Sequence, residues 1–377
     1  MTEPPTTTSR IQSLDQFRGY TVLGMLLVNF VGSFLAIRAT LPLLAHHHTY
    51  CSYADTIMPQ FLFAVGFSFR MTFLRRRDRD GPRAAYIHAL KRNFGLLLVA
   101  FVIHSVGSRW ESWDNLEQRH TVVLRWAKQD LFQTLGHIAV TSLWVMPVIA
   151  ARPGTRALYT LASGLLHIGL SYWFNYRWTN TPPNGVDGGP LGFLTWAIPL
   201  LVGTLAYDAY LSIPNPARLC GRLFLAGAAL MAAAYGLSCV HLKPSDLDEW
   251  HFQVSVSTTP PPLTHVDLKP PTNDLFTMSQ RSGSATYTLF GAGFSLVVLA
   301  LFIVACDIGS FRLGVFRTFG SNALAAYIIH DLVNAAVKPF VPRDAPLWYV
   351  FVGCAVSLSL CYVFVRHLEK NKIFLKM

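Results

Sequence analysis

Apolar runs of about 20 residues, the length needed to cross a hydrocarbon core, recur along the chain between short polar connections. Ten runs reach or approach that length, at about 19–41, 55–74, 93–107, 131–150, 156–175, 190–211, 222–240, 285–306, 317–338 and 346–366. Each predicts a helix, because a segment inside lipid must satisfy its backbone hydrogen bonds within itself. The third run is short and contains His104, while the ninth is polar, with Ser321, Asn322, His330, Asp331 and Asn334. The expected fold is an all-α polytopic transmembrane helix bundle of about ten spans. Residues 1–10 read as a disordered Pro/Thr-rich tail without the order of a cleavable signal peptide. Residues 11–377 read as a single transmembrane domain, with 241–284 a long exterior loop whose Pro260, Pro261, Pro262, Pro270 and Pro271 discourage regular structure.

Lys and Arg set the expected orientation. If the N-terminus is cytoplasmic, the cytoplasmic segments hold nineteen of them, seven between Arg75 and Arg92, against eleven in the opposite loops. Both termini are therefore expected inside. The exterior side then carries the run His46-His47-His48, the Trp-rich segment 108–128, the loop 176–189 and the loop 241–284.

Composition agrees with the pattern. Of the 377 residues, 52% are hydrophobic and only 14% charged, well under the roughly 25% charged of soluble domains. The 26 Phe and 9 Trp suit lipid-facing surfaces and interfacial belts. A net charge of +11 raises nucleic-acid binding, but the basic residues are spread through inter-helix loops, where topology requires them. No nucleic acid is expected as partner; membrane lipids are. Six cysteines show no metal spacing and sit mostly in apolar runs. No metal is expected, and a Cys51–Cys239 disulfide is an open alternative. No internal repeat of the kind found in transporters is evident.

Ionisable groups near a bilayer cost roughly 2.5–3.5 kcal/mol each at a helix centre on insertion scales, so clusters of them need a reason. At the start of the first run, Ser13 is placed to cap a helix, with Asp15 in its first turn and Arg18 three residues on. The bland reading is a salt-bridged interfacial helix start. Asn29, mid-helix, must face protein or a wet cavity. It is either a helix–helix hydrogen bond or a donor that polarises a carbonyl. The three histidines precede Asp55, which opens the second span. They form a solvated loop, or one of them serves as general base or acyl-accepting nucleophile with Asp55 orienting the ring. In the ninth run, Asn322, Tyr327, His330 and Asp331 form a stripe suited to the bundle interior. His137 and His167 stand singly, as structural histidines do. The basic stretch from Arg75 and Arg76 to Arg92 either fixes topology and contacts anionic lipid, or binds the phosphates of a cytoplasmic nucleotide cofactor.

In that order, these residues resemble the catalytic membrane domain of the heparan-α-glucosaminide N-acetyltransferase family and its bacterial relatives. The similar segments are Ser13-Leu-Asp-Gln-Phe-Arg-Gly19, Val28-Asn29, Ala54-Asp55 with Pro59, Phe61 and Phe63, and Gly320, Asn322, Leu324, Tyr327 and His330. The family's His-x-x-Trp-Asn-Gly before Ala-Asp is absent, replaced by His46-His47-His48-Thr-Tyr-Cys-Ser-Tyr. The middle of the chain resembles the family mainly in hydropathy.

The resemblance implies transfer of an acetyl group from cytoplasmic acetyl-CoA to an exterior amino sugar or other carbohydrate or amine acceptor. It places catalytic roles on Asn29, Asp55 and one of His46, His47 and His48. Asp15, Arg18, Arg75, Arg76, Asn322, Tyr327 and His330 are the expected cofactor-binding residues. An acceptor cleft is expected around Trp110, Trp113, Trp126 and Trp250. The expected setting is a bacterial inner membrane, with a homodimer possible as assembly. A transporter or flippase for a lipid-linked sugar or small solute is the competing reading, and an inert structural membrane protein a third.

Overall fold

Helix α1 (Gln12–Val31) opens the described part of the chain, which a computed structural model gives for residues 11–105, 123–241, 255–256 and 275–375. A short α2 (Leu35–Thr40) and a loop carrying the three histidines lead to α3 (Tyr53–Asp80), followed by α4 (Pro82–Ser105). Next come α5 (Thr134–Val145), α6 (Pro153–Leu170), α7 (Tyr176–Asn180), α8 (Phe193–Ser212) and α9 (Pro216–Ser238). The chain continues through α10 (Ala285–Phe302), α11 (Gly314–Ser321), α12 (Ala323–Val337) and α13 (Leu347–Lys370). Two residue pairs, β1 (Val240–His241) and β2 (Ser255–Val256), form a short antiparallel ladder. The expected tail 1–10 and the residues Trp110, Trp113 and Trp250 lie outside the described residues, as does most of the loop 241–284.

All ten apolar runs fall on helices, but they differ in how fully they can span a membrane. Among the described residues six helices are long and apolar enough, namely Tyr53–Asp80, Pro82–Ile103, Gly189–Ser212, Pro216–Ser238, Ala285–Ile308 and Leu347–Lys370. The pair Val123–Asp130 and Thr134–Val148, bent by 75°, is a seventh candidate. The ninth run is not one helix. It breaks at Asn322, whose backbone (φ −137°, ψ 49°) belongs to neither α11 nor α12. The fold is thus a helical bundle of a multi-pass membrane protein.

Burial sorts the helices into an inner and an outer set. The apolar stretches of α3, α8 and α10 are 67%, 78% and 56% buried, against 22%, 28% and 33% for α4, α9 and α13. The outer helices show Leu98, Leu225 and Val363 outwards, as lipid-facing helices do. Small residues let the inner helices approach closely. A Cβ on Gly66 of α3 would lie 1.8 Å from the Leu200 carbonyl oxygen, and one on Gly203 of α8 2.1 Å from that of Phe63. Gly66→Ala is therefore expected to push α3 and α8 apart and cost about 1–3 kcal/mol. A thermal unfolding midpoint in detergent equal to wild type would contradict this packing.

The start of α1 meets the segment between α10 and α11. Gln16 of α1 exchanges two hydrogen bonds with the Leu313 backbone, at 3.2 and 3.0 Å. Ser13 does not cap α1, because the helix begins at Gln12; its hydroxyl instead donates to Asp307 at 2.8 Å. Nearby, Asp208 of α8 joins Arg70 of α3 (2.6 Å) to Arg156 of α6, whose guanidinium also donates to Thr204 (2.6 Å). Two arginines sharing one carboxylate explain how charges are tolerated between three apolar helices. All six cysteines are free, so Cys51 and Cys239 do not pair.

Candidate functional site

The loop before α3 builds one wall of the site. Ser52 is the N-cap of α3 and Asp55 its N3 residue; each accepts the other's backbone N–H, at 3.3 and 3.0 Å. This capping box fixes the Asp55 carboxylate at the head of the helix. Only 1% exposed, it also accepts the His47 backbone N–H at 3.2 Å and holds His46 Nδ1 at 2.9 Å. With Nδ1 bound to the carboxylate, the opposite nitrogen of His46 is the one left for the cavity its ring lines.

The three histidines have different fates. His47 turns away, donating Nε2–H to the Pro42 carbonyl at 2.8 Å and stacking on Tyr50 at 4.2 Å between ring centroids. His48 lines the same cavity as His46, but burial and then the Arg281 charge push it down to about 4. His46 is raised instead: burial opposes its charged form, yet the hydrogen bond and charge of Asp55 outweigh it. Of the three, His46 alone combines an oriented ring, cavity access and a partner carboxylate.

The opposite wall comes from α1 and α12. Asn29 Nδ2 lies 3.2 Å from His330 Nε2, and His330 Nδ1 donates to the Tyr327 carbonyl. Asp331 Oδ1 is 3.2 Å from the same His330 nitrogen, so the ring sits between an amide and a carboxylate. Lys338 donates to the Asn29 carbonyl at 2.8 Å, which anchors α1 at that depth. Asn29, His46, His48, Tyr327 and His330 all line one cavity of about 490 Å³.

Residues from segments far apart in the chain complete this cavity: Gln129, Gln133, Asp187, Gln280 and Arg281. Asp187, 5% exposed, accepts from Gln280 at 3.0 Å. Burial pushes its carboxyl up to about 6, with the Gln280 hydrogen bond and the His46 charge acting the other way. Nothing in the sequence marks it, because an Asp among Pro, Asn and Gly is a common turn residue; here it takes a left-handed φ of 52°.

Two further cavities lie on the arginine side of the bundle. One, of about 330 Å³, is bordered by Arg18, Thr21, Ser68, Arg92 and Ser321. The other, of about 370 Å³, is bordered by Arg75, Arg76, Arg79, His88 and Arg92. They share Val65, Ser68 and Arg92 and so lie side by side. The first of them shares Phe61, Thr134 and Tyr327 with the histidine-side cavity. The three cavities therefore lie in a row along α3, a path from the arginine cluster to His46 that is walled by the residues they share.

Not every expected site residue borders this path. Asp15 pairs with Arg18 at 4.0 Å but is absent from the cavity walls. Asn322 is engaged with the C-terminal segment, donating to the Ile373 carbonyl at 2.9 Å and accepting from Leu375 N–H at 3.1 Å. Tyr327 and His330 border the histidine-side cavity, and Tyr327 both cavities. His137 is buried against Phe132 and Trp196 and lines none of the three cavities.

A sequence model described as "Heparan-alpha-glucosaminide N-acetyltransferase, catalytic" matches residues 10–210. The matched region contains the Asn29, His46–Asp55 and arginine segments but ends before α12, so His330 and Tyr327 lie outside it. No curated protein matches the chain. The match spans more than half of the chain, and the protein belongs to the heparan-α-glucosaminide N-acetyltransferase catalytic family of membrane acetyltransferases.

Proposed function

We propose that the protein moves an acetyl group from acetyl-CoA, bound on the arginine side, to an amino or hydroxyl group of a carbohydrate on the histidine side. The observation that carries this reading is the row of adjacent cavities between the two chemistries. Arg75, Arg76, Arg79 and Arg92 suit the phosphates of the donor, and the neighbouring cavity with Arg18 suits its long thiol arm. The arginine side is then the cytoplasmic side, both chain termini are cytoplasmic, and the shorter helices complete about ten crossings.

In this reading the reaction takes place in the histidine-side cavity. The free nitrogen of His46 takes the proton of the acceptor as its nitrogen or oxygen bonds to the acetyl carbon. Asp55 stabilises the resulting imidazolium. The Asn29 amide, one hydrogen directed to His330, has its second hydrogen for the thioester oxygen as negative charge develops there. The carbon–sulfur bond then breaks, and the proton passes from His46 to the departing thiolate.

Purified protein incubated with labelled acetyl-CoA and a panel of amino and neutral sugars tests this reading. Label appearing on a sugar supports it. The competing reading, a carrier for a sugar-bearing solute, draws on the same row of cavities, and it predicts solute movement with acetyl-CoA left intact.

The pH dependence follows from His46. Only its neutral form accepts a proton, and its pKa lies above the ordinary 6.5. Activity is therefore expected to rise with pH along a limb centred above that value. Asp55→Asn removes the charge that favours the imidazolium, so the limb moves to lower pH. A limb that stays in place in this variant contradicts the pairing.

A further inference from the structure

One face of α3 floors the whole path. Ala54, Ile57, Met58 and Phe61 border the histidine-side cavity, and Phe61, Ala64, Val65 and Ser68 border the next one. The steps of three and four residues make this a single helical stripe, with Phe61 at its midpoint and alanines towards either end. Phe61 is half-buried, as a residue touching two cavities must be. Across from it, the Tyr327 hydroxyl contacts the Thr134 side chain. These three residues are all that the two cavities share.

We infer that Phe61, with Tyr327 and Thr134 in the wall the two cavities share, forms a septum that sets the length of acyl group the protein accepts. The inference rests on the acyltransfer reading above and extends it to donor specificity. A donor whose phosphates sit among the arginines presents its thioester from one side, while Asn29 and His46 wait on the other. The acyl group alone must pass the septum. A two-carbon group passes beside the phenyl ring; a four-carbon group meets it. Discrimination by a hydrophobic wall of this kind is worth about 10–200-fold per methylene.

The test compares kcat/KM for acetyl-CoA and butyryl-CoA in the wild type, Phe61→Ala and the milder Phe61→Leu. The wild type is expected to prefer acetyl by at least about tenfold. Phe61→Ala is expected to reduce that preference about tenfold, with Phe61→Leu in between. The ratio is independent of how much protein folds, so partial misfolding does not imitate the effect. Equal use of both donors by the wild type overturns the inference without any variant. So does an unchanged ratio in whichever variant retains transfer. Failure of the underlying reading looks different: the wild type then transfers no acyl group of any length.

Discussion

Replacing His46 with Gln is expected to lower acetyl transfer by about 10²–10⁴-fold, the usual contribution of a positioned general base. The same change at His47 or His48 is expected to cost far less. The difference follows from where the side chains point. His46 alone has one nitrogen fixed on Asp55 at 2.9 Å and the other left for the cavity. His47 holds the loop through Pro42, so its loss affects folding more than chemistry. His48 borders the cavity, but with its pKa pushed down to about 4 it is a weak base. Rates of acetyl transfer for the three single variants, normalised to donor binding, check this order. A near-normal rate in His46→Gln beside a collapse in His48→Gln would pass the role to His48.

Asn29→Leu is expected to reduce kcat by about 10²–10³-fold, the loss found when one donor to a developing oxyanion is removed. Leu keeps the size of the side chain but takes away both amide hydrogens. With the donor held on the arginine side, as proposed, the KM for acetyl-CoA is expected to change little. That split separates a chemical role from a structural one. If Asn29 only bridges α1 to His330 of α12, the variant loses thermal stability while kcat per folded molecule stays near wild type. Kinetics and unfolding measured on the same preparation distinguish the two.

The helices were legible because lipid imposes a pattern that a sequence displays openly. Each apolar run fell on helix, and the expected opening at Asp55 lies two residues inside the actual start of α3 at Tyr53, which Ser52 caps. The break at Asn322 was not legible. A polar residue in an apolar run looks like a cavity-lining group, whereas here its amide captures the backbone of Ile373 and Leu375. The Arg70–Asp208–Arg156 cluster was hidden for a similar reason, since its members come from three separate helices.

At the site, proximity along the chain made Asp55 and the histidines stand out together. Which histidine meets the carboxylate depends on loop geometry that adjacent identical residues cannot reveal. Asp187, Gln280 and Arg281 escaped notice because loops carry them into the cavity from distant parts of the chain. The septum escaped for the opposite reason: Phe61 is one of 26 phenylalanines in an apolar chain, the resemblance marks it no differently from Phe63, and the cavities on either side separate the two.

The central claim is that one protein path joins a donor on the arginine side to an acceptor on the histidine side. Oriented vesicles, with labelled acetyl-CoA sealed on the arginine side and an amino sugar supplied only on the other, test it directly. Acetylated sugar is expected on the histidine side, with free CoA retained in the opposite compartment. Acetylated sugar appearing only when donor and acceptor share a compartment would contradict it.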